Sequence, residues 1–359
     1  MKSPTQLPRT PADLTSALLS ELMGVAVDSV QVLDAQMFGA DMVSTSGRAT
    51  IAVKYPAAAR GLPTRLMVKM ARVLDRICEP FYSNEVAFYG RLRAECDIQA
   101  PRHLGSSFDP KSGLFALVLE DLMPSGARFP KVTDAIGVEQ VRSLLETLAH
   151  LHAKFWCSPR FTGDLAWVET HLIGGVAGHM HEFVPPHIRR EIEIDQIKRE
   201  IVQSLGWNAD QLCEGVNALQ VFQQTLPQTI IHGDTHIGNT YLLPSGEGGL
   251  LDWQLMMRGP AVHDVAYLIA TALPIADRRE HERGLLIGYL QTLTSLGVHA
   301  PGFEETWTEY RRAMIWGLYI GWLTTPASHY GPTVTTVSLL RMAAAFEDLD
   351  TGRLVRQLG

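Results

Sequence analysis

The stretch His232-Gly233-Asp234-Thr235-His236-Ile237-Gly238-Asn239, with Leu250-Leu251-Asp252-Trp253-Gln254 after it, decides how the rest of this 359-residue chain is read. It sets a carboxylate, Asp234, and a carboxamide, Asn239, five positions apart across a glycine-containing loop, with a second carboxylate, Asp252, eighteen residues beyond the first. Three short apolar runs, TII, NTYLL and GLLDW, alternate here with Gly, Pro and Ser, which predicts strands joined by turns. The polar residues fall at the ends of those strands, where loop side chains commonly do chemistry.

On both sides the texture changes. The segments 134–156, 186–205 and 209–226 carry apolar residues at three- and four-residue intervals and read as helices. Nearer the N-terminus β-branched runs recur instead, VAVDSVQVL, ATIAVKY, LMVKM and FALVLE, and these fit an antiparallel sheet. One helix is expected within that sheet, over SNEVAFYGRLRAEC (83–96), with Ser83 as its cap. The expected class is α+β, in two lobes. A small antiparallel-sheet lobe with one helix spans 1–122, including an N-terminal extension or helix at 1–24, and a larger, mainly helical lobe spans 123–359.

An Asp, an Asn and a second Asp form the set that phosphoryl transfer needs. One carboxylate orients an attacking hydroxyl and accepts its proton, and two oxygen-bearing side chains hold magnesium on the nucleotide phosphates. HGDTHIGN, LLDWQ and the following GPAVHDVAYLI together resemble the catalytic loop, the metal loop and the structural Asp-bearing helix start of the aminoglycoside phosphotransferase and choline kinase superfamily, the small-molecule relatives of protein kinases. The resemblance covers residues 30–345 and implies a bilobal protein-kinase-like fold that uses ATP and Mg2+. It implies Asp234 as catalytic base and Asn239 and Asp252 as magnesium ligands, with His232 and His236 bracing the loop.

The sheet lobe should then hold an anchor for the phosphates. Lys69 lies inside the apolar run LMVKM, an awkward place for an ammonium unless it is paired, and Glu85 on the expected helix is the candidate partner. The two are similar to the strand-lysine and helix-glutamate pair of kinases, a solvated lysine and a solvated glutamate being the plainer alternative. Gly39, Ser44 and Thr45 in FGADMVSTSG loosely resemble the family's phosphate-covering loop, and an ordinary hairpin turn is the other reading. The resemblance also places the carbonyl of Glu120 and the amide of Leu122 against the adenine edge.

Two departures narrow the class. Asp252-Trp253-Gln254 lacks the glycine that lets the equivalent protein-kinase loop flip, and Gly233 stands where protein kinases carry Arg, so control by activation-loop phosphorylation is not expected. The Asp-aromatic-Gln ending and the NEVAFY helix look closest to the ecdysteroid-kinase-like branch and its bacterial relatives. The acceptor is expected to be a hydroxyl of a small, hydrophobic or polycyclic alcohol. Trp307, Tyr310, Trp316, Tyr319 and Trp322 form either helical core or a stacking surface for it. Glu191, Glu193 and Asp195 alternate with Arg189, Arg190, Lys198 and Arg199, as on a solvated helix rather than in a pocket for a polycation. His171, His179, His181 and His187 are expected on a mobile loop beside the acceptor rather than around a metal.

Composition limits the partners. A chain that is 46% hydrophobic and 19% charged, with a net charge of 31 − 38 = −7, is a folded globular protein and lacks the basic balance of a non-specific nucleic-acid binder. Scattered cysteines, no leader-like N-terminus and no apolar stretch of spanning length point to the cytoplasm and to no membrane insertion. Two other readings stay open: a catalytically inactive nucleotide-binding module, and a metal-dependent hydrolase built on His232, Asp234 and His236 with His263 and Asp264.

Overall fold

In the computed structural model the β-branched runs pair into a five-stranded antiparallel sheet. Its strands are β1 (Ser29–Asp34), β2 (Ser46–Lys54), β3 (Arg65–Ala71), β4 (His103–Asp109) and β5 (Leu114–Glu120), in the order β1-β2-β3-β5-β4. Residues 6–35, 46–57, 61–72, 78–134 and 136–358 are described. They fall into two compact units, one of Met1–Cys96, Ala100–Arg128 and Leu251–Gln254, the other of Asp97–Gln99, Phe129–Leu250 and Leu255–Gly359.

In the first unit β5 lies between β3 and β4, and its run Leu114–Leu119 is buried throughout, which explains why it is apolar at every position rather than at alternate ones. The edge strand β4, HLGSSFD, is too polar and too glycine-bearing to signal a strand. Gly105 serves a close approach there: α1 (Ser16–Met23), begun by the Thr15 side chain accepting from the Leu18 amide, runs so near that a Cβ at 105 would lie 2.3 Å from the Leu22 carbonyl oxygen. The helix of this unit starts earlier than expected. α2 (Glu79–Ala87) takes Pro80 in its first turn, so Ser83 is an interior residue and not the cap. Tyr82 on α2 stacks on Phe115 of β5, ring centroids 4.5 Å apart. A π-helical turn (Phe88–Leu92) continues the helix.

The second unit is helical: α3 (Val138–Phe155), α4 (Gly175–Glu182), α5 (Val184–Ile194), α6 (Gln196–Ser204), α7 (Ala209–Gln223), α8 (Val262–Ala272), α9 (Ile275–Ser295), α10 (Phe303–Trp316), α11 (Ala327–Tyr330), α12 (Pro332–Asp348) and α13 (Thr351–Arg356). Two short antiparallel pairs interrupt it, β6 (Thr229–Ile231) with β9 (Met257–Gly259) and β7 (Thr240–Leu242) with β8 (Gly248–Leu250). α8 is buried on every side, its polar His263, Asp264 and Thr271 included, with α3, α9, α10 and α12 packed on it. The expected helix over 186–205 is two, because Asp195 leaves helical geometry and its carboxylate accepts the Ile197 and Lys198 amides that begin α6. His179, His181 and His187, expected on a loop, lie on α4 and α5. Glu169 caps α4 by accepting from the Gly175 and Val176 amides. Among the described residues no helix is long and apolar enough to cross a membrane.

The contact of α1 with β4 leaves no room for a methyl group. Gly105→Ala is expected to destabilise the protein by about 1–3 kcal/mol, the range for overpacking a well-filled interior, seen as a lowered midpoint in urea unfolding.

Candidate active site

In the first unit, β2 and β3 place Arg48 and Lys69 directly opposite each other on the sheet. Lys69 is 3% exposed, and its Nζ lies 2.7 and 2.6 Å from the two carboxylate oxygens of Glu85, itself 1% exposed on α2. Burial pushes the Glu85 carboxyl up, against the pull of the Lys69 ammonium. The same Nζ is 3.4 Å from Asp252 Oδ1, and Arg48 Nη2 is 3.2 Å from Asp252 Oδ2. Asp252 has a φ of +62°, a left-handed conformation that Asp tolerates better than most residues. Its segment is stapled to the helix of this unit. Trp253 stacks on Phe88 with centroids 3.6 Å apart and planes 9° off parallel, and Asn84 Nδ2 donates to the Gln254 carbonyl at 2.9 Å. Sequence reasoning named Lys69, Glu85 and Asp252 but missed Arg48, Asn84 and Phe88. The NEVAFY pattern contained two of these three.

In the second unit the segment after β6 is held by one buried carboxylate. Asp264 on α8 accepts from the consecutive amides of His232 (2.6 Å) and Gly233 (2.9 Å), and His152 Nε2 lies 3.1 Å from it. Burial alone would raise the Asp264 carboxyl, but the His152 hydrogen bond and neighbouring imidazoles hold it below its ordinary value. His152 Nδ1 in turn meets the Tyr289 hydroxyl at 2.7 Å. Thr235 Oγ1 donates to the Asp264 carbonyl (2.7 Å), and the Ile237 amide donates to Thr271 Oγ1 (3.2 Å). Gly233 has a φ of +82°, and a Cβ there would lie 2.1 Å from the Leu255 carbonyl oxygen, so this position admits no side chain.

On that fixed backbone Asp234 keeps a partly exposed carboxylate. Asn239 Nδ2 donates to the Asp234 carbonyl at 2.9 Å and to its Oδ2 at 3.0 Å, so the structure joins the two expected loop residues directly. His232 Nδ1 accepts from the Asp234 amide and His236 Nδ1 from the Gly238 amide, which makes both imidazoles braces of the loop. Among the described residues no group of three His, Cys, Asp or Glu side chains is disposed to hold a metal ion. Of the five expected aromatic residues Trp322 meets this loop, its ring centroid 5.8 Å from that of His236. Tyr267 is 6.2 Å from the same imidazole. Trp316 packs instead on His171 and His263, and Trp307 stacks on Phe303 and Tyr310. Glu120 ends β5 opposite Leu66, and Leu122 precedes a 3-10 turn (Met123–Ser125). Gly39, Ser44 and Thr45 lie outside the described residues.

A strand lysine bound to a helix glutamate, together with a braced Asp and its Asn partner, belongs to a small-molecule kinase of protein-kinase-like α+β fold. The profile described as the APH phosphotransferase enzyme family matches residues 76–299, more than half of the chain, and the chain belongs to that family. Similar solved structures include a protein of Ralstonia eutropha described as a candidate aminoglycoside phosphotransferase, 13% identical over 93% of this chain and 97% of that one, with a TM-score of 0.50. Two others are the choline kinase LicA of Streptococcus pneumoniae (15% identical, 91% and 97% covered, TM-score 0.47) and the macrolide 2'-phosphotransferase MphH of Brachybacterium faecium (17%, 92% and 98%, TM-score 0.46). No curated protein matches the chain.

Removing the loop brace leaves two buried amides and an imidazole without their acceptor. Asp264→Ala is expected to cost about 3–5 kcal/mol of stability, as for one partner of a buried pair, measured by urea unfolding. A second expectation concerns acid. His171 and His263, ring centroids 4.7 Å apart, are both held below the ordinary imidazole range, first by burial. Below a pH of about 6.5 the unfolded chain takes up protons that the folded protein resists, so stability present above that pH is lost as pH falls toward the lowered folded-state pKa values, at no more than about 1.4 kcal/mol per unit for each histidine. Tm should therefore drop between pH 7.5 and 5, and His171→Phe should flatten that drop; an unchanged slope in the variant removes His171 from the account.

Proposed function

We propose that the protein transfers the γ-phosphoryl group of magnesium-bound ATP to a hydroxyl of a small hydrophobic or polycyclic alcohol. The observation that carries the reading is Lys69, seated at once on Glu85 and Asp252 in a nearly water-free setting. A buried ammonium shared by two carboxylates is expensive to maintain for stability alone, and is suited to gripping phosphate oxygens.

In this reaction Lys69 pairs with the nucleotide phosphates and Glu85 fixes its direction. Asp252 in the first unit and Asn239 in the second each carry a hard oxygen donor of the kind magnesium prefers. Held by these residues, magnesium would supply charge neutralisation to the phosphoryl group being transferred. Asp234 accepts a hydrogen bond from the acceptor hydroxyl and takes its proton, and Asn239, bound to the Asp234 carbonyl, keeps the loop in shape for it. His236 and Trp322 give the surroundings of Asp234 an aromatic side, which supports an apolar acceptor over a polycation. Catalysis on this account is positioning and charge stabilisation, with no covalent step on the protein.

The test is ADP release across a panel of sterols, macrolides, aminoglycosides, amino alcohols and sugars, with mass spectrometry of the product. Asp234→Asn is expected to lower kcat by about 10²–10⁴ while keeping the thermal shift given by magnesium-ATP. Asp252→Ala should lose both turnover and that shift, and turnover retained in this variant would sink the metal assignment.

A further inference from the structure

Arg48 has no part in the reaction set out above, yet its place in the first unit is unusual. It stands directly opposite Lys69 in the β2–β3 register, so two cationic side chains leave the same face of the sheet with Cβ atoms about 5 Å apart. Like charges in that relation repel, which makes the pair a poor choice for sheet stability. Arg48 also lies on the open face of β2. With Thr50 and Ala52 it is half-buried, and these three alternate with the buried Ala49, Ile51 and Val53.

The guanidinium is only partly used. Its Nε and Nη2 share one edge, the fork that takes two oxygens of a phosphate or carboxylate side by side. Nη2 reaches Asp252 Oδ2 at 3.2 Å, but Nε is buried with no hydrogen-bond partner among the described residues. A buried N–H without an acceptor is unfavourable, and an oxyanion that fills the fork relieves it. Asp252 demonstrates that the two cations can share one anion. Its second oxygen lies 3.4 Å from Lys69 Nζ, so a single carboxylate bridges guanidinium and ammonium. A phosphoryl group presents pairs of oxygens at similar spacing and carries more charge. Lys69 has Glu85 as a second carboxylate, whereas Arg48 makes no other ion pair among the described residues.

Resting on the phosphotransferase reading, we propose that Arg48 is a second phosphate-binding residue of the site, taking polyphosphate oxygens of the nucleotide through Nε and Nη2 beside the Lys69 ammonium. The fork accounts for arginine at this position. A lysine there would meet the phosphate as a point charge and leave no planar edge to orient it. In the protein without nucleotide, Asp252 occupies that edge and offsets the repulsion between the two opposed cations.

The experiment is calorimetric titration of the full chain with magnesium-ATP and, separately, with Mn2+ alone. Arg48→Gln is expected to weaken magnesium-ATP about tenfold or more, the loss for a charge-assisted hydrogen bond. The same variant should bind Mn2+ alone more tightly, because Asp252 has lost a competing cation. Arg48→Lys should recover part of the nucleotide affinity. A residue that only shapes the sheet would lower both affinities together, so movement in opposite directions is the signature of a phosphate contact. Wild-type affinity for magnesium-ATP in Arg48→Gln overturns the proposal, as does parallel loss of ATP and Mn2+. Should Arg48→Gln fail to fold, Arg48→Met carries the same two readouts. Failure of the wild type to bind magnesium-ATP sinks the phosphotransferase reading and this inference with it, whereas binding by the wild type with no change in the variant sinks the inference alone.

Discussion

The buried carboxylate of Asp264 is the constraint on which the loop of the second unit that carries Asp234 is built. A charge taken out of water costs several kcal/mol unless its lone pairs are filled, and here they are filled by two successive backbone amides and an imidazole. Backbone amides cannot move without moving the chain, so satisfying Asp264 fixes the conformation of His232 and Gly233. Everything around follows from that. Gly233 must be glycine, the loop must turn where it does, and Asp234 emerges with its carboxylate partly in solvent on a hydrogen-bonded support. α8 must be buried on all sides, because only there is a carboxylate short of water and therefore committed to these partners.

The first unit reaches a comparable end by different means. Lys69 is fixed by strand register and Glu85 by a helix packed on the sheet, and the short bonds between them tie one element to the other. Asp252 meets Arg48 and Lys69 as well, and its segment is held further by the Trp253 ring clamped against Phe88 and by Asn84 donating to the Gln254 carbonyl. Aromatic stacking and one amide hydrogen bond thus do for the Asp252 segment what a buried charge does for the Asp234 loop.

Much of this was legible in the sequence, because local pattern and chemistry agreed. Alternation and β-branched runs marked four of the five strands of the sheet, and a lysine in an apolar strand demanded a partner that Glu85 supplied. What was not legible depended on long-range contact. β4 is polar because it lies at an edge, and its glycine answers to α1 rather than to a turn. Ser83 looked like a cap because caps are short-range signals, yet Pro80 and the buried Phe81 and Tyr82 carry the helix past it. The histidines of 171–187 looked like a loop because of the glycines among them, while Glu169, outside the pattern, caps a helix there. Arg48 sits on the strand adjacent to Lys69, a relation only register reveals.

Arg48 and Lys69 give Asp252 a property beyond its place. Its two oxygens already face a guanidinium at 3.2 Å and an ammonium at 3.4 Å, so the resting carboxylate is neutralised by the protein itself. A divalent cation arriving alone must displace attractions of its own kind and gains little by it. Under the proposed roles, phosphate oxygens draw the same two cations and in doing so release the carboxylate. Under the proposed roles the metal and the nucleotide are therefore coupled ligands, each raising the affinity for the other by one and the same factor. On those roles Asp252 acts as an ion exchanger, trading organic cations for an inorganic one only when the polyphosphate comes with it.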